Sequence, residues 1–555
     1  MLPSDDEKEF YQVLGYFDAG KLIPACERNH LRHTQSLTIR APFYADLWFE
    51  AAWARCYHCQ SGLEQEQRFE KQIASKLLPV LQACDENVLR SFSWEAGICP
   101  PQALLGPSGY LATKLKNLTS IRLMTYGNCT YGWYDRPFSH RDVPSLALLS
   151  FPSLREFSWA GLSIHEYDAL APLLQHRATQ LTKLELDLEY HVFRAGFRAL
   201  PFFSKKVLQL HRPGSIVFSA LKSLSLSNVV LDSHDFAIAG SIDFSNLEHL
   251  KLRFCPGTER VLQHLAESGS SKLRVVEINM GFSALSATDQ QGILIAFLES
   301  FQGLQALYIN MLYWPTGLTT GVWRAVGRHS KTLWRFAYHQ RQAAEDVFGA
   351  ARGSFIGAGI TVYDALNVEL SEAADLDGKV PDNPLRHLDL RGLGLGCSPK
   401  CMMPLVSPFS HKSSLQLLHM RRSGLDFMVD ESLLGTLRRP DIPAEQIIQD
   451  ARDTFRLDLH RFLQWVFGPC GIGSLQLFVY GDFSHGDRYR QHWKMMCRNE
   501  RPKAGAGNAE PMFYREVTEE DQGLLSLLEE HEGLVSALAN DALFCTMPPV
   551  GHGAQ

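Results

Sequence analysis

One spacing recurs along most of the chain: an apolar residue, two residues of any kind, a second apolar residue, one of any kind, and a third apolar residue. The stretch LKSLSLSNVVL (residues 221–231) shows the difficulty this poses, with leucine at 221, 224, 226 and 231. A strand with one buried face repeats every second residue and a helix every third or fourth, so neither period fits the stretch throughout. A short strand preceded by a turn does: Leu224 and Leu226 point inward from the strand, and Leu221 lies where the chain bends into it. Leu231 then fills the next layer inward, and Asn228 stands where a side-chain amide can bond the turning backbone.

Twelve instances begin at Leu89, Leu118, Leu154, Leu181, Leu221, Leu247, Leu273, Leu304, Leu333, Leu385, Leu415 and Leu475. Seven of the eleven intervals are between 26 and 31 residues, close to the roughly 20–29 residues of leucine-rich repeats. The segments between them read as helices. ERVLQHLAESG (259–269) spaces Val261, Leu262 and Leu265 for one face and ends on glycine, and DQQGILIAFLESFQG (289–303) is similar. FEKQIASKLLPVLQAC (69–84) places Ile73, Leu77 and Leu81 together, with Pro79 expected to kink or end it. A strand and a helical return per unit predict an α/β fold: an irregular solenoid, a horseshoe with parallel strands on the concave face and helices outside.

The expected organisation is a short N-terminal segment (1–30), a solenoid (31–500), a linker (501–514), and a C-terminal capping helix and tail (515–555). Two insertions interrupt the solenoid. One, near 340–383, is rich in Gly, Ala and acidic residues; the other, near 426–469, carries a long helix striped by Ile447, Ala451, Phe455, Leu459, Phe462 and Trp465. REVTEEDQGLLSLLEEHEGLVSALAND (515–541) reads as an acidic amphipathic helix closing the last repeat.

Composition bounds the function. The 555 residues are 45% hydrophobic and 21% charged, as in folded proteins. A net charge of -6 gives no global basic signature for nucleic acid. No apolar run is long enough to span a bilayer, and MLPSDDEKEF is acidic where a secretory signal would be basic, so a cytoplasmic or nuclear protein is expected. The 12 cysteines are scattered and read as thiols in a reducing compartment.

Catalytic motifs of the nucleophile-elbow, zinc-protease and P-loop kinds are missing from the sequence. GLGLG (392–396) and GPCGIGS (468–474) read as tight turns rather than phosphate cradles. Cys56, His58 and Cys59, and Cys397 with Cys401, lack the partner pair that a closed zinc site needs. Neither an enzyme nor a cofactor or metal site is expected.

A binding protein needs a surface, and the strand register supplies one. Residues flanking the inward positions point to the concave face, and strands about 4.8 Å apart turn such positions into ladders. The last ladder runs Asp187, Ser227, Arg253, Asn279, Asn310, His339, Arg391 and Arg421; its neighbour runs Glu185, Ser225, Lys251, Glu277, Tyr308, Asp389 and His419. Lys251, Arg253, Arg335, His339, His387, Arg391, His419 and Arg421 make the C-terminal half basic. They are the expected partner-binding residues, for an acidic or phosphorylated protein. The competing reading is a solvated face in which Glu277 and Asp389 neutralise the cations.

RHTQSLTIRAPF (32–43), KLLPVLQACDENVLRSFSWEAGICPPQALLGPSGYL (76–111), LKNLTSIRLMTYGNC (115–129) and SLREFSWAGL (153–162) resemble the substrate-receptor region of fungal F-box proteins with leucine-rich repeats. The resemblance covers roughly residues 30 to 500. It implies a non-catalytic receptor that selects substrates for a ubiquitin ligase of the Skp, cullin and F-box type. An F-box needs about 40 to 50 residues, and only about 30 precede SLTIR, so the adaptor-binding half is expected to be missing or vestigial, or to lie upstream of an internal Met1. A Skp-type adaptor is expected as partner only if an F-box lies upstream. The alternatives are a stand-alone scaffold and a repeat-type GTPase activator or enzyme inhibitor.

Overall fold

A computed structural model describes residues 30–40, 60–95, 100–125, 146–162, 167–188, 207, 217–233, 236–237, 242–269, 272–280, 285–312, 319–341, 383–397, 399–421, 444–484, 493–500 and 511–538. The chain divides into two compact units, Met1–Asn246 with Ala542–Gln555, and Leu247–Asp541. The insertion at 342–382 and the Cys56 to Cys59 cluster lie outside the described residues.

In the first unit the strands are β1 (Ser36–Arg40), β2 (Ser91–Glu95), β3 (Ser120–Met124), β4 (Glu156–Leu162), β5 (Lys183–Leu188) and β6 (Ser223–Ser227). They pair in sequence order, and every pairing is parallel. A small antiparallel pair, β7 (Asp232–Ser233) and β8 (Phe236–Ala237), follows. The helices are α1 (Gln60–Ala83), α2 (Gln102–Leu105), α3 (Tyr110–Lys114) and α4 (Tyr167–Arg177).

The second unit carries β9 (His249–Arg253), β10 (Val275–Met280), β11 (Ala306–Leu312), β12 (Arg335–Arg341), β13 (Gly392–Leu395), β14 (Leu417–Arg421) and β15 (Leu477–Gly481), again parallel and in sequence order. Two antiparallel strands, β16 (Lys494–Arg498) and β17 (Tyr514–Glu516), end the row. Its helices are α5 (Thr258–Ser268), α6 (Ala287–Glu299), α7 (Thr319–Val326), α8 (Pro399–Val406), α9 (Ala444–Phe467), α10 (Gln522–Glu530) and α11 (Glu532–Val535). Both units are thus α/β with mostly parallel strands, and neither row of strands closes on itself.

The recurring leucines explain this order. All twelve first-position leucines are buried, none more than 2% exposed. In eleven units the two following apolar positions are also buried and lie in the strand, as with Leu250 and Leu252 or Phe336 and Tyr338. Each side chain buried this way contributes about 1.5–3 kcal/mol relative to exposure, so the repeat is the main source of cohesion. Asn228 has the predicted role. It is buried with a left-handed φ of 59°, and its amide donates to the Leu188 carbonyl at 3.0 Å and to Asp187 at 3.2 Å. Asparagine tolerates that conformation better than most residues.

Helix α1 runs through Pro79 rather than ending there. A mid-helix proline costs about 3 kcal/mol or more, but Ile73, Leu77, Val80 and Leu81 are all buried, and their combined burial outweighs one lost bond and a bend. Helix α5 ends as predicted on Gly269, left-handed at φ 63°. Helix α9 buries Phe462, Leu463, Val466 and Phe467, while Trp465 of the predicted stripe is half-buried. GPCGIGS follows α9 as its stop, where Arg498 donates to the carbonyls of Phe467 and Ile472.

Three expectations change. The Leu385 unit carries two overlapping copies of the spacing, LRHLDL and LRGLGL, and the strand forms on the second, as GLGL. GLGLG is therefore a strand and neither a turn nor a phosphate cradle. Ser225 and Ser227, expected on an outward surface, are 5% and 4% exposed. Finally, β16 and β17 occupy the end of the strand row, and the acidic 515–541 region is broken into β17, α10 and α11 instead of forming one capping helix.

Candidate functional site: a strand face that holds the C-terminal segment

The second unit's strands have two occupied faces. On one, Trp323 of α7 meets Phe336 and Tyr338 edge-on, and α9 brings Phe462 against Phe478 and Phe455 against Tyr480. On the other, Ala306, Tyr308, Ala337, Leu417, Leu477 and Val479 form one cluster with Leu527, Leu534, Val535, Ala537 and Leu538. That second face is the one the sequence marks for binding. It carries the chain's own C-terminal segment, with α10 against β15 and α11 against β12 and β13.

Strand register sets the face. One row runs Lys251, Glu277, Tyr308, Ala337, Gly394, His419, Val479; the next runs Arg253, Asn279, Asn310, His339, then Arg421 and Gly481. Arg391 and Asp389 are not in these rows, because β13 forms on the later copy of the spacing: Gly394 takes the place in the first row, Gly396 follows the strand beside His339, and Gly392 stands one step earlier, between Arg335 and Leu417. Arg391, Asp389 and His387 are exposed residues ahead of the strand.

The glycines answer a steric demand. A Cβ on Gly392 would lie 2.6 Å from His531 Nδ1 and 2.8 Å from Leu534 Cδ2, and one on Gly396 would collide with the His339 ring. Glycine inside a strand commonly marks the close approach of another chain segment. Here it opens a saddle in which α11 lies. Gly392 has ordinary strand geometry, so Gly392→Val is expected to leave β13 intact while excluding α11. Hydrogen exchange should then rise across 531–538 without rising in β11–β14; unchanged protection of 531–538 would show that the saddle is not the seat.

Two arginines meet the ends of the two helices. The last carbonyls of a helix have no partner within it and carry the negative end of its dipole. Arg335 donates to the Glu530 carbonyl at the end of α10, at 2.5 Å, and its guanidinium lies 3.7 Å over the Trp334 ring. Arg421, 4% exposed, donates to the carbonyls of Leu534 (3.2 Å) and Ala537 just past α11. Beside it, fully buried His419 has its Nε2 2.9 Å from the Gly481 carbonyl and Nδ1 3.5 Å from Arg421. Burial, then the neighbouring arginine, hold its pKa well below the ordinary value, so the ring is neutral with Nε2 as donor.

Glu277 anchors the segment's far end. Its carboxylate is fully buried, takes two hydrogen bonds from Arg253 (2.7 and 2.9 Å), lies 3.7 Å from Lys251 Nζ, and accepts the Leu538 N–H at 2.7 Å. Burial would raise its pKa; Arg253, Lys251 and these bonds more than reverse that and hold it at about 2. Of the eight expected partner-binding residues, Lys251 and Arg253 therefore pair with Glu277. Arg335 and Arg421 hold helix ends, His339 and His419 are buried in the face, and His387 and Arg391 lie off it.

His531, between α10 and α11, was not singled out by the sequence. It is fully buried, its ring lies 6.1 Å from that of Trp334, and neither ring nitrogen has a hydrogen-bond partner among the described residues. Burial first, then Arg335 of β12 and Arg391 ahead of β13, lower its pKa to about 4, against Glu530 on its own segment, which raises it. A depressed pKa means that docking is fully favoured above the free value of 6.5 and loses free energy as pH falls toward 4. The shift corresponds to on the order of 3 kcal/mol once the ring is protonated. Glu277 adds nothing above its ordinary 4.5, whereas His419 on the face beneath, its pKa also depressed by burial and Arg421, shifts the balance in the same direction. Cleavage at Glu529, Glu530 and Glu532 by a Glu-specific protease is expected to accelerate from pH 7.5 to 4.7 in the natural chain and much less in His531→Leu. Equal acceleration in both would contradict this role.

No family model matches the chain, and no curated protein matches it. Among the described residues no group of three or more His, Cys, Asp or Glu side chains could hold a metal, and no helix is long and apolar enough to cross a membrane.

Proposed function

We propose that the chain is a non-catalytic protein-recognition module, an irregular leucine-rich-repeat solenoid whose strand face grips a segment of a partner protein. The carrying observation is that this face already grips a peptide segment, Gln522–Leu538, through Arg335, Arg421, Glu277 and an apolar floor. Support for the solenoid comes from strands that follow one another in sequence order at a constant parallel register. Each unit so arranged buries its apolar side against its neighbours.

By its resemblance to fungal F-box repeat proteins, the partner held on this face would be a substrate presented for ubiquitin transfer, with chemistry supplied by other subunits. An acidic protein suits Arg335 and Arg421, which the C-terminal segment meets with carbonyls, while Lys251 and Arg253 are neutralised by Glu277. The reading is tested by affinity purification of the full chain followed by quantitative mass spectrometry, with and without Gly394→Arg. Recovery of proteins by the natural chain that Gly394→Arg does not retain is the expected result, with a Skp-type adaptor recovered by both forms where an F-box lies upstream. Absence of the adaptor would remove the ligase assignment and leave a stand-alone scaffold. An unchanged set of bound proteins in Gly394→Arg would remove recognition by this face.

A further inference from the structure

We propose that Gln522–Leu538 is a resident stand-in for a partner's helix end, so that the face recognises a short protein segment whose helix C-terminus meets Arg421 and whose apolar side chains replace Leu534, Val535 and Leu538. This inference rests on the recognition reading and names the chemistry of its ligand and the manner of its regulation.

The bonds that hold the segment are not particular to its sequence. Arg335 and Arg421 take main-chain carbonyls, and Glu277 takes a main-chain N–H. Any helix C-terminus offers the carbonyls and the chain continuing past it offers the N–H, so specificity falls to the apolar side chains and to the flanking acid, of which Glu529, Glu530 and Glu532 are examples. A face built only as a permanent core would have little reason to set a buried arginine against carbonyls, since a well-packed apolar residue is often at least as stabilising.

The resident segment is also an imperfect occupant. It buries the His531 ring with both nitrogens unpartnered among the described residues, and a buried polar group left unbonded weakens binding. A competing segment with an apolar residue there would dock better. The resident's advantage over a competitor is its tether. Asp521, just ahead of α10, accepts two bonds from Arg515 of β17 at 2.6 and 2.7 Å and one from the Thr518 N–H at 2.9 Å. The segment thereby starts from a fixed point, and a short tether gives an effective concentration of roughly millimolar. An incoming partner must exceed that advantage, through affinity or through further contacts, which makes the segment a threshold against weak ligands.

The test uses full-length chain carrying Leu534→Asp and Leu538→Asp, which places charge in the apolar floor, and a fluorescent peptide of residues 519–541. The released chain is expected to bind this peptide, and the same peptide with His531→Leu about tenfold more tightly, which is ~1.4 kcal/mol. The natural chain should bind neither at the same concentrations, and adding Arg421→Ala to the released chain should cost at least about tenfold. A released chain that retains strand protection yet binds neither peptide, or binds equally well with Arg421→Ala, overturns the stand-in. If the double variant does not fold, the natural chain answers the same question. Millimolar His531→Leu peptide should raise hydrogen exchange in Gln522–Leu538, and no rise overturns the proposal. Either failure leaves recognition by the face to be decided by the Gly394→Arg purification.

Discussion

Arg421→Ala is expected to free the C-terminal segment from the strand face while leaving the strands paired. The guanidinium is buried and its described acceptors include the carbonyls of Leu534 and Ala537. Removing it strands those carbonyls where water reaches them poorly, at about 1–3 kcal/mol each, so a loss of roughly 3 kcal/mol is expected for docking. Local openings of this kind occur without global unfolding, because a few contacts hold the segment whereas the strands share a continuous core. Hydrogen exchange in α10 and α11 should therefore accelerate by about two orders of magnitude, at 1.4 kcal/mol per factor of ten, with β10–β14 unchanged. Arg421→Lys should rescue only part, since a point charge cannot span two carbonyls as a planar fork does. Equal protection in Arg421→Ala and the natural chain would refute this account of the helix end.

Glu277→Gln is expected to have the larger effect on the second unit as a whole. The carboxylate is fully buried and serves Arg253, Lys251 and the Leu538 N–H together. An amide of the same shape turns one acceptor into a donor facing donors, and removing one partner of a buried pair typically costs about 3–5 kcal/mol. Because the native pKa is depressed, this contribution is present above pH 4.5 and fades as pH falls toward 2. Denaturant unfolding at pH 7 should therefore separate the variant from the natural chain by that amount, and the gap should shrink at the acid end. The double variant Arg253→Met with Glu277→Leu should recover much of the loss, since the cost lies in the unpaired charge rather than in the missing bond. A gap below about 1 kcal/mol at pH 7 would mean that the pair is solvated.

The strands were legible because their signal is redundant. Each unit states its strand three times, at Leu304, Leu307 and Ile309 for instance, and all three are buried. Where two copies overlap, in LRHLDLRGLGL, the pattern alone cannot choose the frame. The deciding signal was the glycines. Gly392 and Gly394 alternate with Leu393 and Leu395 as the face positions of a strand should, and absent side chains at such positions announce that something lies against them. A turn at GLGLG carries no such signal and places Asp389 and Arg391 where Gly394 and Gly396 stand. The location of the C-terminal segment could not be read at all. Its leucines predict a helix with one buried side, but hydrophobic spacing records that a face is covered and not by which neighbour. His531 escaped notice for the same reason, since its lack of partners is a property of the docked segment and not of the residues around it in sequence.

The strand face of the second unit grips the chain's own Gln522–Leu538 through main-chain hydrogen bonds and an apolar floor. Hydrogen exchange of the natural full-length chain at pH 7.5, resolved over Gln522–Leu538 and β10–β14 and repeated with Gly392→Val, tests it most directly. Strong protection of the segment in the natural chain is predicted. In the variant that protection should be lost, with the strands equally protected in both. A segment that exchanges at its unprotected rate in the natural chain, or stays protected once the saddle at Gly392 is filled, would contradict it.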